Sequence, residues 1–258
     1  AFPKFKKIEL SDKEEVESIT AKFPPYSDFN FTSMWSWDVK EKMQISLLYG
    51  NLVVKFTDYL TGEPFFSFLG ENKVNETVEE LLELSKKEGL KAELKLVPEE
   101  TVKKIDLQRF MIEENRDHFD YILDIKALAT FKGKKFNSHR HHINQFKKKF
   151  LCEIVLIDKD KLSEHNWSEI SDFLKNVTDQ ADRENIESEI LAINKFGQIK
   201  NSHGKLSLIK IYSGGKLIGI STSERIDEKH VMGHFLKVDK SFPTLSKKLP
   251  LFTKAPNI

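Results

Sequence analysis

The chain has 258 residues, enough for one large domain or two small ones, and its net charge is +1. Hydrophobic residues make up 39% of it and charged residues 31%, a balance that is typical of a folded chain with a core and excludes a disordered one. The balanced charge also excludes a uniformly basic nucleic-acid-binding protein, but it leaves a local basic patch open.

Cysteine usage and hydropathy exclude further classes. Cys152 is the single cysteine, so neither an intramolecular disulfide nor a zinc site with several thiolates can form. The first residues alternate lysine and phenylalanine, unlike a signal peptide, and no apolar run approaches the ~20 residues that cross a bilayer. The sequence therefore predicts a cytoplasmic protein, and peripheral association with the inner membrane surface stays open.

The first residues predict a strand, two helices and a three-stranded antiparallel meander. Ser11 and Glu14 have the spacing of a capping box, which predicts where the first helix begins. Gly50 and Gly62 mark the two hairpin turns of the meander. The elements are predicted at Phe5–Leu10, Ser11–Phe23, Phe29–Val39, Gln44–Leu48, Leu52–Tyr59 and Pro64–Leu69.

The rest of the first half predicts alternating helices and strands. Val74–Glu88 has the clearest helical periodicity in the chain, and Gly89 supplies its C-terminal stop. The other elements are predicted as strands at Ala92–Val97, Arg109–Glu114 and His118–Ile125 and as a short helix at Pro98–Ile105.

The second half begins in the same way, with a strand, two helices and a meander. Its elements are predicted at Glu153–Ile157, Ser163–Val177, Ile186–Phe196, Leu206–Tyr212, Lys216–Ile226 and His230–Asp239. The match lies in the order of elements only, since no residue-level repeat accompanies it. Two helices followed by an antiparallel meander are how GNAT-like acyltransferases begin.

The predicted fold is therefore mixed α/β, with two tandem GNAT-like acyltransferase modules whose mostly antiparallel sheets are flanked by helices. The first module is predicted at residues 1–126, and a basic linking helix with the second module at 127–258. In that fold a helix and a further strand follow the meander. Only 19 residues follow Asp239, three of them prolines, so we expect the second module to be incomplete.

A basic segment joins the predicted modules. From Ile125 through Cys152 there are eight Lys or Arg residues and no Asp or Glu. Its apolar residues share one helical face: Phe136, Ile143, Phe146 and Phe150. Surface helices usually interleave both signs of charge, so the absence of acids favours a phosphate-bearing partner, tRNA or anionic lipid headgroups, over a merely solvated helix. The candidate polyanion-binding residues are Lys134, Lys135, Arg140, Asn144 and Lys147.

The same segment carries His139, His141 and His142. On a helix His139 and His142 share a face and His141 does not, and no carboxylate is nearby to complete a ligand set. The pattern favours a cationic surface whose charge rises as pH falls, and we predict no metal site.

Two stretches of the chain resemble a bacterial family that is grouped with the C-terminal catalytic domain of phosphatidylglycerol lysyltransferase. The matching residues are Tyr121–Ile125, Leu128, Gly133–Phe136, Arg140–Phe146, Lys216–Gly219, Glu224, Arg225, His234 and Phe235. The resemblance implies tandem GNAT-like modules and aminoacyl transfer from a charged tRNA to a lipid or other acceptor.

The chain departs from that family's pattern in two places. Leu236–Val238 replaces the usual Glu-Lys-Ala, and Pro243–Leu245 stands where relatives continue into a Gly-x-Tyr-Gln-x-x-Asn helix. Leucine cannot accept a proton or position an amine. These departures, together with the short C-terminal segment, predict little or no transferase activity for the chain as given.

General catalytic signatures point away from the common cofactors. The chain has no glycine-rich phosphate loop, no Gly-x-Ser-x-Gly elbow and no turn of the kind that holds the coenzyme A pyrophosphate. No cofactor is predicted, acyl-CoA is disfavoured as donor, and aminoacyl-tRNA is the donor that the resemblance implies.

Amine acylation needs a base to deprotonate the nucleophile. Glu224 and His234 are predicted on adjacent strands of the second meander and are the candidate catalytic residues. A structural role is the alternative for both. Two functions therefore stand: an acyl- or aminoacyl-transferase, and a non-catalytic binding module for a phosphate-bearing partner.

Overall fold

Two four-stranded antiparallel sheets organise the chain, one in each of two units, Ala1–Asp120 (unit 1) and Tyr121–Ile258 (unit 2). Each sheet has its strands in sequence order, so the predicted mixed α/β class is confirmed. The computed structural model describes residues 2–162, 164–177, 183–200 and 205–242. The expectations for Pro243–Leu245 and for the remainder of the C-terminal segment lie outside these residues.

Unit 1 contains the predicted strand, two helices and meander, followed by further helices. Its strands are β1 (Lys6–Lys7), β2 (Gln44–Leu48), β3 (Asn51–Thr57) and β4 (Pro64–Leu69). Its α-helices are α1 (Lys13–Thr20), α2 (Phe31–Trp37), α3 (Val74–Lys87) and α4 (Glu99–Val102).

Both faces of the sheet in unit 1 are covered. Successive residues of a strand point to opposite faces, and in β3 Val53 and Val54 are both fully buried. Val54 belongs to the core that includes Val16 of α1 and Met34 of α2. Val53 packs with Val78 of α3. A continuous apolar strand is therefore what this position in the fold requires.

The predicted capping box is wrong, because the chain begins its first helix with other residues. Ser11 lies in a 3-10 turn, Leu10–Asp12, that precedes α1. The capping box is formed by Glu9 and Asp12, and the Glu9 backbone N–H donates to the Asp12 carboxylate at 2.9 Å. The carboxylate thus satisfies a donor that the helix itself cannot.

The strands predicted after α3 are wrong. Of Ala92–Val97, only Leu94 pairs, in an isolated parallel bridge with Phe66 of β4. Neither Arg109–Glu114 nor His118–Ile125 forms a strand; the second runs from the last residue of a 3-10 turn to the first residue of the helix Ile125–Thr130. These residues have strand propensity, but a strand also needs a neighbour, and none among the described residues pairs with them.

A buried amide at the start of β3 ties this strand to the start of α3 and to the residues just before it. Asn51, fully buried, donates from Nδ2 to the Asn72 carbonyl at 2.7 Å and to the Thr77 hydroxyl at 2.9 Å. Its Oδ1 accepts from the Asn72 N–H at 3.1 Å. Gly70 lies directly against this side chain, and a Cβ added to Gly70 would lie 2.0 Å from Asn51 Oδ1. The contact leaves room for glycine alone.

Gly70→Ala is therefore expected to destabilise the protein by about 2–4 kcal/mol, because the methyl group displaces Asn51 and leaves buried donors and acceptors unpaired. Urea unfolding measures the loss. Gly233→Ala is the matched control, since a Cβ at Gly233 meets no atom within 4 Å. Equal stability of the two variants would show that Asn51 moves aside at no cost.

Unit 2 repeats the order of elements after two additional helices. Its strands are β5 (Cys152–Asp158), β6 (Leu206–Ser213), β7 (Lys216–Arg225) and β8 (Val231–Val238). Its α-helices are α5 (Ile125–Thr130), α6 (Asn137–Lys149), α7 (Glu164–Val177) and α8 (Arg183–Gln198). The predicted order of strand, helices and meander is confirmed in both units. In the described part of the chain, no helix has the length and apolar character needed to span a membrane.

Candidate functional site

The predicted basic helix forms, with its apolar face against the sheet of unit 2. Ile143 and Phe146 of α6 are buried, and Phe146 packs on Ile209 and Ile211 of β6. The helix is shorter than predicted, because Lys134–Phe136 forms a 3-10 turn before it. The spacing of the apolar residues in the sequence thus correctly predicted which face of α6 packs on the sheet.

The predicted cations point outward. Lys134, Lys135 and Lys147 are exposed, as is Asn144. Across the described residues, no carboxylate lies within salt-bridge distance of these three lysines, and the ammonium of Lys135 lies 5.0 Å from the ring of Phe136. Lys147 lies in the last turn of α6, where the helix dipole favours positive charge. These side chains are available to an anionic partner.

Arg140 differs from the lysines because its guanidinium is used within the fold. It donates to the Phe131 carbonyl, to the Gly133 carbonyl at 3.0 Å and to the side chain of Asn137. Phe131 ends α5 in a left-handed conformation, φ 46°. Arg140 therefore closes the turn between α5 and α6, and its polyanion-binding role stays a prediction.

The three histidines of α6 lie in different surroundings. His139 stacks on Phe131 with 5.7 Å between ring centroids, whereas His141 is exposed and lies 6.0 Å from His142. No group of three His, Cys, Asp or Glu residues that could hold a metal ion occurs within the described ranges. The stacking gives His139 a role in packing α6 to the end of α5.

The candidate catalytic residues Glu224 and His234 meet in the structure. Glu224 lies on β7 and His234 on β8, and His234 Nε2 lies 3.1 Å from Glu224 Oε2. Both side chains are buried, with exposed fractions of 3% and 1%. The ring of Phe196 from α8 lies 5.9 Å from the imidazole. A carboxylate and an imidazole are thus paired and buried between the sheet and α8.

A β-bulge places His234. Ser223 of β7 pairs with Gly233 of β8, but the next residue, Thr222, pairs with Phe235, so His234 is an extra residue in the ladder. Phe235 also packs on Phe196 of α8, at 5.9 Å. His234 and Phe235 are adjacent, yet both contact the same helix, which a regular strand does not allow. Bulges of this kind are common beside active sites, where they re-aim a side chain.

The same bulge brings a lysine to that face. Lys237 is three residues after His234, a spacing that would place the two on opposite faces of a regular strand. Instead Lys237 contacts α8, and its ammonium lies 2.6 Å from the carboxylate of Glu189. Both the His234 and Lys237 pairings therefore depend on the extra residue.

A buried lysine on β6, which contacts α7, was not predicted from the sequence. The Lys210 side chain is 2% exposed, and its ammonium lies 2.6 Å from the carboxylate of Glu169 on α7. The Tyr212 hydroxyl donates to the same carboxylate at 2.9 Å. Burial, together with this hydrogen bond, raises the pKa of Tyr212 well above its ordinary value, so the phenol stays protonated. The signal in the sequence was a single lysine within an otherwise apolar strand.

Together these residues place several ionisable side chains on the face of the second sheet that contacts α7 and α8. Buried ionisable groups are costly and are found mainly where function or a specific pairing retains them. A carboxylate beside an imidazole stabilises the ring when the ring gains a proton. The arrangement can therefore accept a proton and stabilise the resulting imidazolium, which is the task of a general base in acyl transfer.

Comparison with known proteins agrees with the fold. A crystal structure described as a conserved protein of unknown function from Bacteroides thetaiotaomicron VPI-5482 has a TM-score of 0.75 and 23% sequence identity, and the match covers 96% of this chain and 84% of that chain. At this identity the likeness shows the fold alone. No curated protein matches the chain. The profile of the family described as phosphatidylglycerol lysyltransferase, C-terminal, matches residues 20–249. The chain therefore belongs to the phosphatidylglycerol lysyltransferase C-terminal family.

Proposed function

We propose that the protein transfers an acyl or aminoacyl group, with an aminoacyl-tRNA as donor and an amine or hydroxyl of a lipid or other molecule as acceptor. Family membership indicates an aminoacyltransferase-like domain. The observation that carries the proposal is the buried Glu224–His234 pair, which meets at 3.1 Å on a bulged strand. The repeated order of strand, helices and meander supports two GNAT-like modules as its scaffold.

The chemistry assigned to the pair is proton transfer. The acceptor nitrogen or oxygen attacks the carbonyl carbon of the donor ester, and its proton passes to His234. Glu224 stabilises the imidazolium that forms, and the proton then goes to the leaving hydroxyl of the donor as the ester bond breaks. The new amide or ester bond replaces the old one, so no oxidant, metal or further reactant is needed.

A single-turnover assay tests the proposal. Excess protein is mixed with tRNA that carries a labelled amino acid, together with a panel of lipid and peptide amines, and transfer of label is followed. The departures at Leu236–Val238 predict slow turnover, which is why excess protein is used. Transfer that exceeds the rate without protein supports the enzyme, whereas none with any donor and acceptor overturns it.

One observation favours the second candidate, a non-catalytic binding module. Glu224 and His234 are 3% and 1% exposed, so a substrate reaches them only if β8 or α8 moves. A protein that binds a polyanion tightly but transfers nothing would fit this function, with the pair as a buried tie between strands. The exposed lysines serve either function.

The lysines predict a specific salt dependence. Replacing Lys134, Lys135 and Lys147 by glutamine should weaken polyanion binding. The slope of log affinity against log salt concentration should fall by about 3, because binding releases about one counterion fewer for each phosphate contact that is lost. Fluorescence anisotropy of labelled bulk tRNA at several salt concentrations measures the slope. Replacing Lys22, Lys40 and Lys91, exposed lysines of unit 1, is the matched control. Equal slopes for all three proteins would make α6 only a solvated helix.

A further inference from the structure

The strand that carries Glu224 also carries three consecutive buried hydroxyl residues, Ser221, Thr222 and Ser223. This strand, β7, lies between β6 and β8, so no edge of it faces solvent. Burying a hydroxyl in such a position costs free energy unless the hydroxyl forms a hydrogen bond. Thr222, which is fully buried, forms one with the neighbouring strand: its Oγ1 accepts from the Phe235 N–H at 3.0 Å.

This hydrogen bond lies at the bulge of β8. Thr222 pairs with Phe235 and Ser223 pairs with Gly233, so the surplus residue, His234, stands between the two pairs. A bulge disrupts the ladder locally, and a buried N–H beside it needs an acceptor. Phe235 is only 6% exposed, so water does not readily serve. The Thr222 side chain supplies an acceptor at the point where the ladder is disrupted.

The same hydrogen bond limits how His234 can be oriented. The N–H of Phe235 belongs to the peptide group that joins His234 to Phe235, and that group is planar. Holding the N–H therefore fixes the plane next to the His234 Cα, and with it one of the two backbone rotations that aim the imidazole. The partner of the imidazole, Glu224, lies two residues after Thr222 on the same face of β7. One strand thus supplies both the carboxylate and the group that aims the ring at it.

We infer that Thr222 is a positioning residue, whose hydroxyl holds the bulge of β8 so that His234 meets Glu224. The inference rests on the proposed function, in which this pair accepts the proton of the attacking group. Thr222 acts through His234 and carries no proton itself. Without the hydroxyl, the Phe235 N–H loses this acceptor and the peptide plane after His234 is free to turn. The imidazole then loses its alignment with Glu224, and a small misplacement of a catalytic group is enough to slow a reaction.

Thr222→Val tests the inference, because valine keeps the branched shape of the side chain and removes the hydroxyl. Transfer from tRNA that carries a labelled amino acid should slow by about 10–100-fold under single-turnover conditions. The protein concentration that gives half the maximal rate should stay as in the parent. Thr222→Ser keeps the hydroxyl and should restore most of the rate. Thr32→Val is the matched control, since Thr32 of unit 1 is also fully buried but its hydroxyl has no hydrogen-bond partner among the described residues.

Nitrogen NMR of the imidazole gives a second readout, which does not depend on transfer. In protein that contains isotope-labelled histidine, the signals of His234 are those that disappear in His234→Gln. Thr222→Val and Glu224→Gln should both change the chemical shifts of the His234 ring nitrogens. Thr222→Ser and Thr32→Val should leave these shifts as they are in the parent.

The two readouts separate the inference from the proposed function. Changed His234 shifts in Thr222→Val, in a protein that transfers nothing, would uphold the role of Thr222 in aiming the ring and overturn only the proposed function. Unchanged shifts in Thr222→Val would overturn the inference, whatever the rate. Thr222→Ala, which removes the hydroxyl without adding a methyl group, replaces the valine variant if urea unfolding shows that the latter does not fold. If neither variant folds, the hydroxyl is required by the whole fold and the inference is overturned.

Discussion

Glu224→Gln is expected to slow transfer by about 10²–10⁴-fold, the usual contribution of general acid–base catalysis. The replacement keeps the size of the side chain and a hydrogen bond to His234, but it removes the negative charge that stabilises the imidazolium. His234→Gln should lose at least as much, because no other group of the pair accepts the proton. Rates are measured under single-turnover conditions with each protein in excess over the aminoacylated donor.

The pH dependence separates a proton-accepting pair from a structural one. His234→Gln should change the shape of the pH profile of the rate, because it removes the group that accepts the proton. Glu228→Gln, at an exposed position in the turn between β7 and β8, is the control and should keep the parent profile. An unaltered rate and pH profile in Glu224→Gln would remove this pair from the mechanism.

Glu169→Gln is expected to destabilise the protein by about 2–3 kcal/mol, less than the usual cost of breaking a fully buried ion pair, because the side chain of Glu169 is 29% exposed. Lys210 lies within the sheet with its side chain only 2% exposed, so its ammonium would lose its carboxylate without gaining water. The glutamine retains an oxygen that accepts from Tyr212, which limits the change to the lysine. Urea unfolding followed by circular dichroism measures the difference.

Two variants bracket this expectation. Glu83→Gln breaks the exposed pair with Lys87 on α3 and should leave the stability nearly unchanged. Adding Lys210→Met to Glu169→Gln removes the stranded charge and should restore most of the lost stability. If Glu169→Gln is as mild as Glu83→Gln, the ammonium of Lys210 is stabilised by something other than this carboxylate.

The local elements of the fold were predictable wherever turns and periodicity agreed. Gln44–Leu48 and Pro64–Leu69 form as predicted because the turns at Gly50 and Gly62 leave little freedom in the hairpins. His118–Ile125 was predicted wrongly as a strand for the opposite reason. Its residues favour extended structure, but whether another strand lies beside them is a property of the whole fold.

The candidate site also has features that the sequence predicts and features that it does not. The sequence predicted Glu224 and His234 on adjacent strands of a meander, but it did not predict that their side chains lie within hydrogen-bond distance of each other. The pairing of Lys210 with Glu169 joins residues 41 positions apart on a strand and a helix, and no spacing rule predicts it. The role of Arg140 within its own turn was hidden for another reason: composition gives its charge but not its partners.

Which side chains of β8 face α8 depends on the number of residues in the strand as well as on their identity. His234 and Lys237 share a face only because one surplus residue stands between Gly233 and Phe235. A relative that kept both residues at this spacing, but in a strand without the bulge, would turn its lysine to the opposite surface, away from α8. An insertion or deletion next to the bulge would thus rearrange the site in a single step without replacing either residue.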